Sequence, residues 1–248
     1  MTRQHKALGM VLLSARLKTS EIERRLRAAD LPARETEGLG GDTVTVDTDD
    51  GTLFVTAVPR ALTGEDVMNN IHPLFTEEDE IPALGNHAAH LVVVAVNFEA
   101  EGTRKVRRHL HQLHARALKA LSGLEEVVGY AIDGTTFGPA ALRRELADEH
   151  SAPIDLWAPA WVWSGDHGIT AYTYGLAAFG HPEVQLVDAD VEVAEAYVVL
   201  SDVAAYVIKG VDLEEGASVG WRAEMQVGVE KRPWVVDLEQ PAWQLRMH

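Results

Sequence analysis

The chain has 248 residues, 46% apolar and 24% charged, a globular composition long enough to bury a core without covalent staples. It holds no cysteine, which excludes disulfides, thiolate metal sites and cysteine nucleophiles. Its 22 basic residues against 38 acidic ones leave a net charge of −16, the wrong sign for a nucleic-acid backbone. That charge reads first as solubility and spacing between molecules, and second as an acidic face for a basic partner. The N-terminus is charged, and its apolar run, Ala7–Leu13, is short. Arg16 and Lys18 interrupt it before any cleavage site, which argues against a secretory signal. No segment approaches the roughly 18 uncharged residues of a membrane span. A cytoplasmic protein with no membrane contact is the expectation.

In chain order, Leu8–Ala15 suits a buried strand. Thr19 or Ser20 can cap a helix to Ala29, with Glu21 and Glu23 in its first turn and Ile22 and Leu26 inward. Gly38–Gly41 is a flexible loop. Val44–Val46 and Leu53–Thr56 flank Asp50-Gly51, a pair that predicts a type I′ hairpin turn. Thr63 caps a helix over 65–71, an acidic loop spans 75–86, and a strand with a continuously apolar core runs from His90 to Phe98. This order predicts a ferredoxin-like split unit.

A second round follows. Val106, Leu110, Leu113, Ala117 and Leu121 track one face of a helix over 103–121. A strand over 127–132 and a helix opened by Pro139 come next. A hairpin then pairs 154–163 with 168–174 around Ser164-Gly165-Asp166-His167, which would align Trp157, Trp161 and Trp163 on one side of a strand. A strand at 184–187 leads to an amphipathic helix over 194–209, with Val193, Tyr197, Leu200, Ala204 and Val207 inward and Glu192, Glu195 and Asp202 outward. The tail from Ser218 alternates like edge strands, with Trp221, Trp234 and Trp243 as packing residues. The fold class expected is α+β, with antiparallel or mixed sheets, packed helices and two ferredoxin-like split units in tandem. The chain reads as one compact unit over 1–248, with 1–100 and 101–248 as sub-halves.

Tyr172-Thr173-Tyr174-Gly175-Leu176-Ala177-Ala178-Phe179-Gly180, then His181-Pro182-Glu183, reads as a strand end, one tight apolar turn and a glycine stop. Leu176 and Phe179 share a face, and Gly180 suits the left-handed conformation that ends such a turn. Thr173, Gly175, Leu176, Phe179, Gly180 and Glu183 form a pattern that resembles the bacterial family catalogued as domain of unknown function 4261. The resemblance runs from about Trp157 to the C-terminus, through the closing loop Leu213–Gly220, and more weakly to His87–Val93. It departs at Gln185, where family members often carry a second acid. It implies an intracellular bacterial protein and carries no catalytic residue across.

The other motifs are weak. Gly216-Ala217-Ser218-Val219-Gly220 fits a nucleophile elbow in letters, but strand, not helix, follows the serine, and the only later histidine is His248. His87, His90, His109, His111 and His114 do not converge in any ligand spacing, so no metal is expected. Asp47–Gly51 begins like a calcium loop but puts Val58 at the bidentate glutamate position. No glycine-rich phosphate loop exists, and no cofactor is expected. Ser164, Asp166 and His167 read as a polar hairpin tip.

The leading expectation is therefore a non-enzymatic binding protein, of inhibitor or immunity type, with a basic protein partner. Its acidic face would combine Glu77, Glu78, Asp79 and Glu80 with Glu192, Glu195 and Asp202. The rival is an enzyme using Glu183 with His181 or His167 as acid–base groups.

Overall fold

A computed structural model describes residues 6–36, 42–98, 102–148, 151–222 and 225–247; the Gly38–Gly41 loop lies outside them. The chain divides into two compact units, Met1–Pro153 and Ile154–His248.

The first unit runs β1 (Lys6–Leu13), α1 (Thr19–Ala28), β2 (Ala33–Glu35), β3 (Thr43–Thr48), β4 (Gly51–Val58), α2 (Gly64–Met68), α3 (Ile81–Gly85), β5 (Ala89–Val96), α4 (Arg104–Ser122), β6 (Val127–Ile132), β7 (Thr135–Phe137) and α5 (Pro139–Glu145). Its seven strands order as β2-β3-β4-β5-β1-β6-β7, with antiparallel pairing throughout. β5 lies between β4 and β1, and α4 packs against it. A strand enclosed in this way reads as the apolar run Leu91–Val96. Thr103 caps α4, its side chain accepting from Val106 N–H at 3.3 Å. Leu110, Leu113, Ala117 and Leu121 are buried along it, as their spacing predicts.

This order corrects the ferredoxin-like reading. A split unit sets β1 beside β4, whereas here β5 intervenes, and β6, the intended start of a second round, closes onto β1 instead. The two compact units divide after residue 153. Two further readings change. The acidic loop carries α3. The first hairpin turns one residue early, because Thr48 pairs with Gly51 and leaves Asp49-Asp50 in the turn. The non-glycine residues with positive φ among those described are Asp30, Asp133 and Asp188, so this is not a type I′ turn. Gly51, at φ 147°, is needed next to the turn, since a Cβ there would sit 2.6 Å from the Val96 carbonyl oxygen. The turn expected at Asp50-Gly51 occurs instead at Asp133-Gly134, at φ 42° and 76°, joining β6 to β7.

The second unit runs α6 (Ile154–Trp157), β8 (Ala160–Gly165), β9 (Gly168–Thr173), a 3-10 turn (Leu176–Phe179), β10 (Glu183–Ala189), α7 (Val193–Ile208), β11 (Ser218–Arg222), β12 (Met225–Pro233) and β13 (Pro241–Met247). The sheet order is β11-β12-β13-β10-β9-β8, mixed because β10 and β13 are parallel. α7 packs on β8, β9 and β10. Trp157 is buried on α6 and does not continue the row of Trp161 and Trp163, which sit on β8. Val193, expected inward, is 38% exposed. Together the two units make an α+β protein.

Candidate functional site

The stretch from Thr173 to Glu183 folds around one carboxylate. Gly175, at φ 134°, turns the chain out of β9 where a Cβ would lie 2.1 Å from the Trp157 carbonyl oxygen; only glycine fits. Leu176 and Phe179 are buried on the 3-10 turn, with Phe179 tilted against Trp157 at 5.5 Å. Gly180, left-handed at φ 85°, ends the turn. Glu183, the first residue of β10, then reaches back. Its Oε1 accepts the N–H groups of Gly175 at 3.0 Å and Ala177 at 3.1 Å. Its Oε2 accepts the Thr173 hydroxyl at 2.8 Å, while Thr173 Oγ1 accepts Val184 N–H at 2.8 Å.

Glu183 is 6% exposed. Burial pushes its carboxyl up, against the Gly175 N–H, the Thr173 hydroxyl and the N–H groups of Ala177 and Leu176, which pull it down. Each of these partners donates, the arrangement that suits an acceptor-only carboxylate. Glu183 therefore satisfies amides that a short helical turn leaves bare at its start. The carboxylate is held by two donors on Oε1 and one on Oε2.

The histidines proposed beside it differ in position. His181 is buried two residues away. His167 is exposed in the β8–β9 turn, at the opposite end of β9 from Thr173. Six residue steps of strand separate His167 from Thr173 by roughly 20 Å, so the fold does not assemble Glu183 with His167. Ser164 and Asp166 share that exposed tip.

Gln185 has a specific task. Its Nε2 donates to the Pro233 carbonyl at 2.9 Å and its Oε1 accepts Val235 N–H at 2.9 Å. An acid cannot supply both contacts when ionised. The clamp holds the β12–β13 connection, whose Trp234 packs on Tyr172 and Tyr174 at 5.9 and 5.5 Å. No sequence motif marks this tie, because its partners lie about fifty residues apart.

Among the described residues, no three of histidine, aspartate and glutamate are placed to hold a metal ion. Several histidines instead bond the chain to itself. His87 Nε2 accepts Leu62 N–H at 2.8 Å and its Nδ1 faces the Leu84 carbonyl at 2.7 Å. His90 Nδ1 faces the Arg60 carbonyl at 2.9 Å, and His109 meets Asp50 at 2.9 Å. His111 and His114 are buried on α4. Ser218 opens β11, so the G-x-S-x-G letters form no elbow.

The expected acidic face falls on both compact units, with Glu77, Glu78, Asp79 and Glu80 in the first and Glu192, Glu195 and Asp202 in the second. Glu80 is committed internally. Its Oε1 accepts Ala140 N–H at 2.9 Å in the first turn of α5, and its Oε2 accepts Glu77 N–H at 3.0 Å. Glu77, Glu78, Asp79, Glu192 and Asp202 are exposed, and Glu195 is half-buried. Charge is unevenly divided between the units. Residues 154–248 hold 15 acidic and 5 basic residues, and 154–208 hold no lysine or arginine at all.

No helix among the described residues is long and apolar enough to cross a membrane. No curated protein and no solved structure matches the chain. Residues 172–246, from β9 through β13 and including the Glu183 turn and the Gln185 clamp but not His87–Val93, match the family model described as domain of unknown function (DUF4261).

Proposed function

We propose that the protein acts by binding a basic protein partner, in the manner of an inhibitor or immunity protein, and not by catalysis. The observation that carries this reading is the polarised charge of the second unit. Its first 55 residues contain eight acids and no lysine or arginine, although three strands and a long helix are built from them. Random dispersal for solubility would interleave both signs, whereas a single-sign surface steers a partner of opposite charge. The bonds that Glu183 accepts from Gly175, Ala177 and Thr173 support the same reading, since the turn's carboxylate ties the local chain together.

The test is calorimetric titration of the full chain with a synthetic nona-arginine peptide, and with nona-glutamate as control. Saturable binding of the basic peptide that falls steeply between 50 and 300 mM salt is expected. Equal heats from both peptides, or no saturable binding at the lower salt, would reject the proposal.

A further inference from the structure

Resting on that reading, we infer that the partner docks on one end of the second sheet, where an arginine or lysine side chain lies over the Trp163 ring within a collar of carboxylates. Trp163 is 45% exposed on β8, a strand with no charged residue of its own. An aromatic face half open to water is a costly surface that specific partners cover. The ring is held, not loose: it meets Tyr172 edge-on at 5.4 Å, and Tyr172 meets Trp234 edge-on at 5.9 Å. Trp234 is in turn seated by the Gln185 clamp, and its buried Nε1 has no hydrogen-bond acceptor among the described residues. Trp163 and Tyr172 share one face of the sheet, because Trp161 pairs with Tyr172 and Trp163 with Thr170.

The strand directions bring the acids to the same end. β8 finishes at the turn holding Asp166. β9 starts beside it at Gly168, and β10, antiparallel to β9, finishes there at Asp188 and Ala189. Asp188 N–H donates to Thr170 Oγ1 at 3.4 Å, and Thr170 lies directly across from Trp163. Asp190 and Glu192 follow before α7 begins. Asp166, Asp188, Asp190 and Glu192 are all exposed. The only basic residues of this unit are Lys209, Arg222, Lys231, Arg232 and Arg246, after α7 or on the β11–β13 side of the sheet. An electron-rich indole face with nearby carboxylates favours a guanidinium or ammonium group over a neutral apolar guest. The charge complementarity thus selects a basic segment as the occupant.

The same nona-arginine peptide separates this inference from the proposal beneath it. At 150 mM salt, the indole N–H resonance of Trp163 should shift on titration before those of the other five tryptophans. Trp163→Ala should weaken binding about fivefold, and the triple variant D166N/D188N/D190N should weaken it at least as much. The triple variant E77Q/E78Q/D79N in the first unit should leave it within twofold. Peptide binding that persists unchanged in Trp163→Ala would overturn the docking surface while leaving a basic partner in place. An absence of saturable binding by the unaltered chain would overturn both. Because Trp163 is exposed, Trp163→Ala should keep its folding transition, and a circular dichroism melt checks that the loss is one of recognition.

Discussion

One site in each unit buries polar side chains in an opposite way. In the first, His111 and His114 are buried on α4, where burial is the main influence on each. It holds His111 down to about 3, with the nearby His114 and Arg107 lowering it further. It holds His114 to about 4, with the Val93 backbone pulling the other way. In the second unit, Glu183 is equally hidden but accepts three hydrogen bonds. The first arrangement tolerates a polar group only while it stays neutral. The second is organised around the polar group, so removing it leaves the backbone unsatisfied. Buried polar atoms therefore weaken one unit under acid and hold the other together.

The sharpest way to break this comparison is to delete the carboxylate. Glu183→Ala strands the N–H groups of Gly175 and Ala177 and the Thr173 hydroxyl in a dry site, a loss of about 4 kcal/mol. Chemical denaturation followed by tryptophan fluorescence should show the second unit unfolding early, since all six tryptophans lie after residue 153. Glu183→Gln should recover about half of the loss, because Oε1 remains an acceptor while the new amide meets another donor. A stability unchanged in Glu183→Ala would reduce the turn to its glycines and apolar residues.

Acid should act on the first unit with the opposite sign. The folded-state values of His111 and His114 lie below the ordinary value of 6.5. The unfolded chain therefore binds more protons below that pH, and stability is complete above about 6.5 and falls toward 4. Two such histidines cost about 4 kcal/mol at pH 5, at about 1.4 kcal/mol per pH unit each. Glu183 is raised, so its contribution is present at low pH and is lost as pH rises through its folded value. Hydrogen exchange at pH 7 and pH 5 should show protection lost first in α4 and β5. The variant H111L/H114L should flatten that dependence.

Local chemistry made much of this fold legible. Thr103 and the apolar spacing of α4 act within a few residues of chain, as do the glycines bracketing Leu176 and Phe179, and all appear where they were read. Asp-Gly was a sound signal for a type I′ turn, but it occurs twice, and only Asp133-Gly134 uses it. At the other copy, the approach of the Val96 carbonyl fixes Gly51 beside the turn. Strand order was not legible, because the insertion of β5 between β4 and β1 is decided by burial across the whole sheet. Nor were the reach of Glu80 to α5 and the Gln185 clamp, each made between residues about fifty or sixty apart.

Glu80 offers the smallest and most discriminating test, because it repeats the chemistry of Glu183 in the other unit and in a wetter place. Its carboxylate joins Glu77 N–H to Ala140 N–H, fixing the acidic loop to the start of α5, and the backbone has conformed to it. A Cβ on Gly138 would fall 1.9 Å from Glu80 Oε2. The side chain is half-buried, so water can replace it at those amides. Glu80→Ala should then cost about 1 kcal/mol, as for loss of a helix cap, against about 4 kcal/mol for Glu183→Ala. Glu80→Gln should cost less still, since Oε1 keeps its acceptor role toward Ala140. If Glu80→Ala proved as damaging as Glu183→Ala, exposure would not be what separates the two sites, and the contrast between the units would have to rest on the histidines alone.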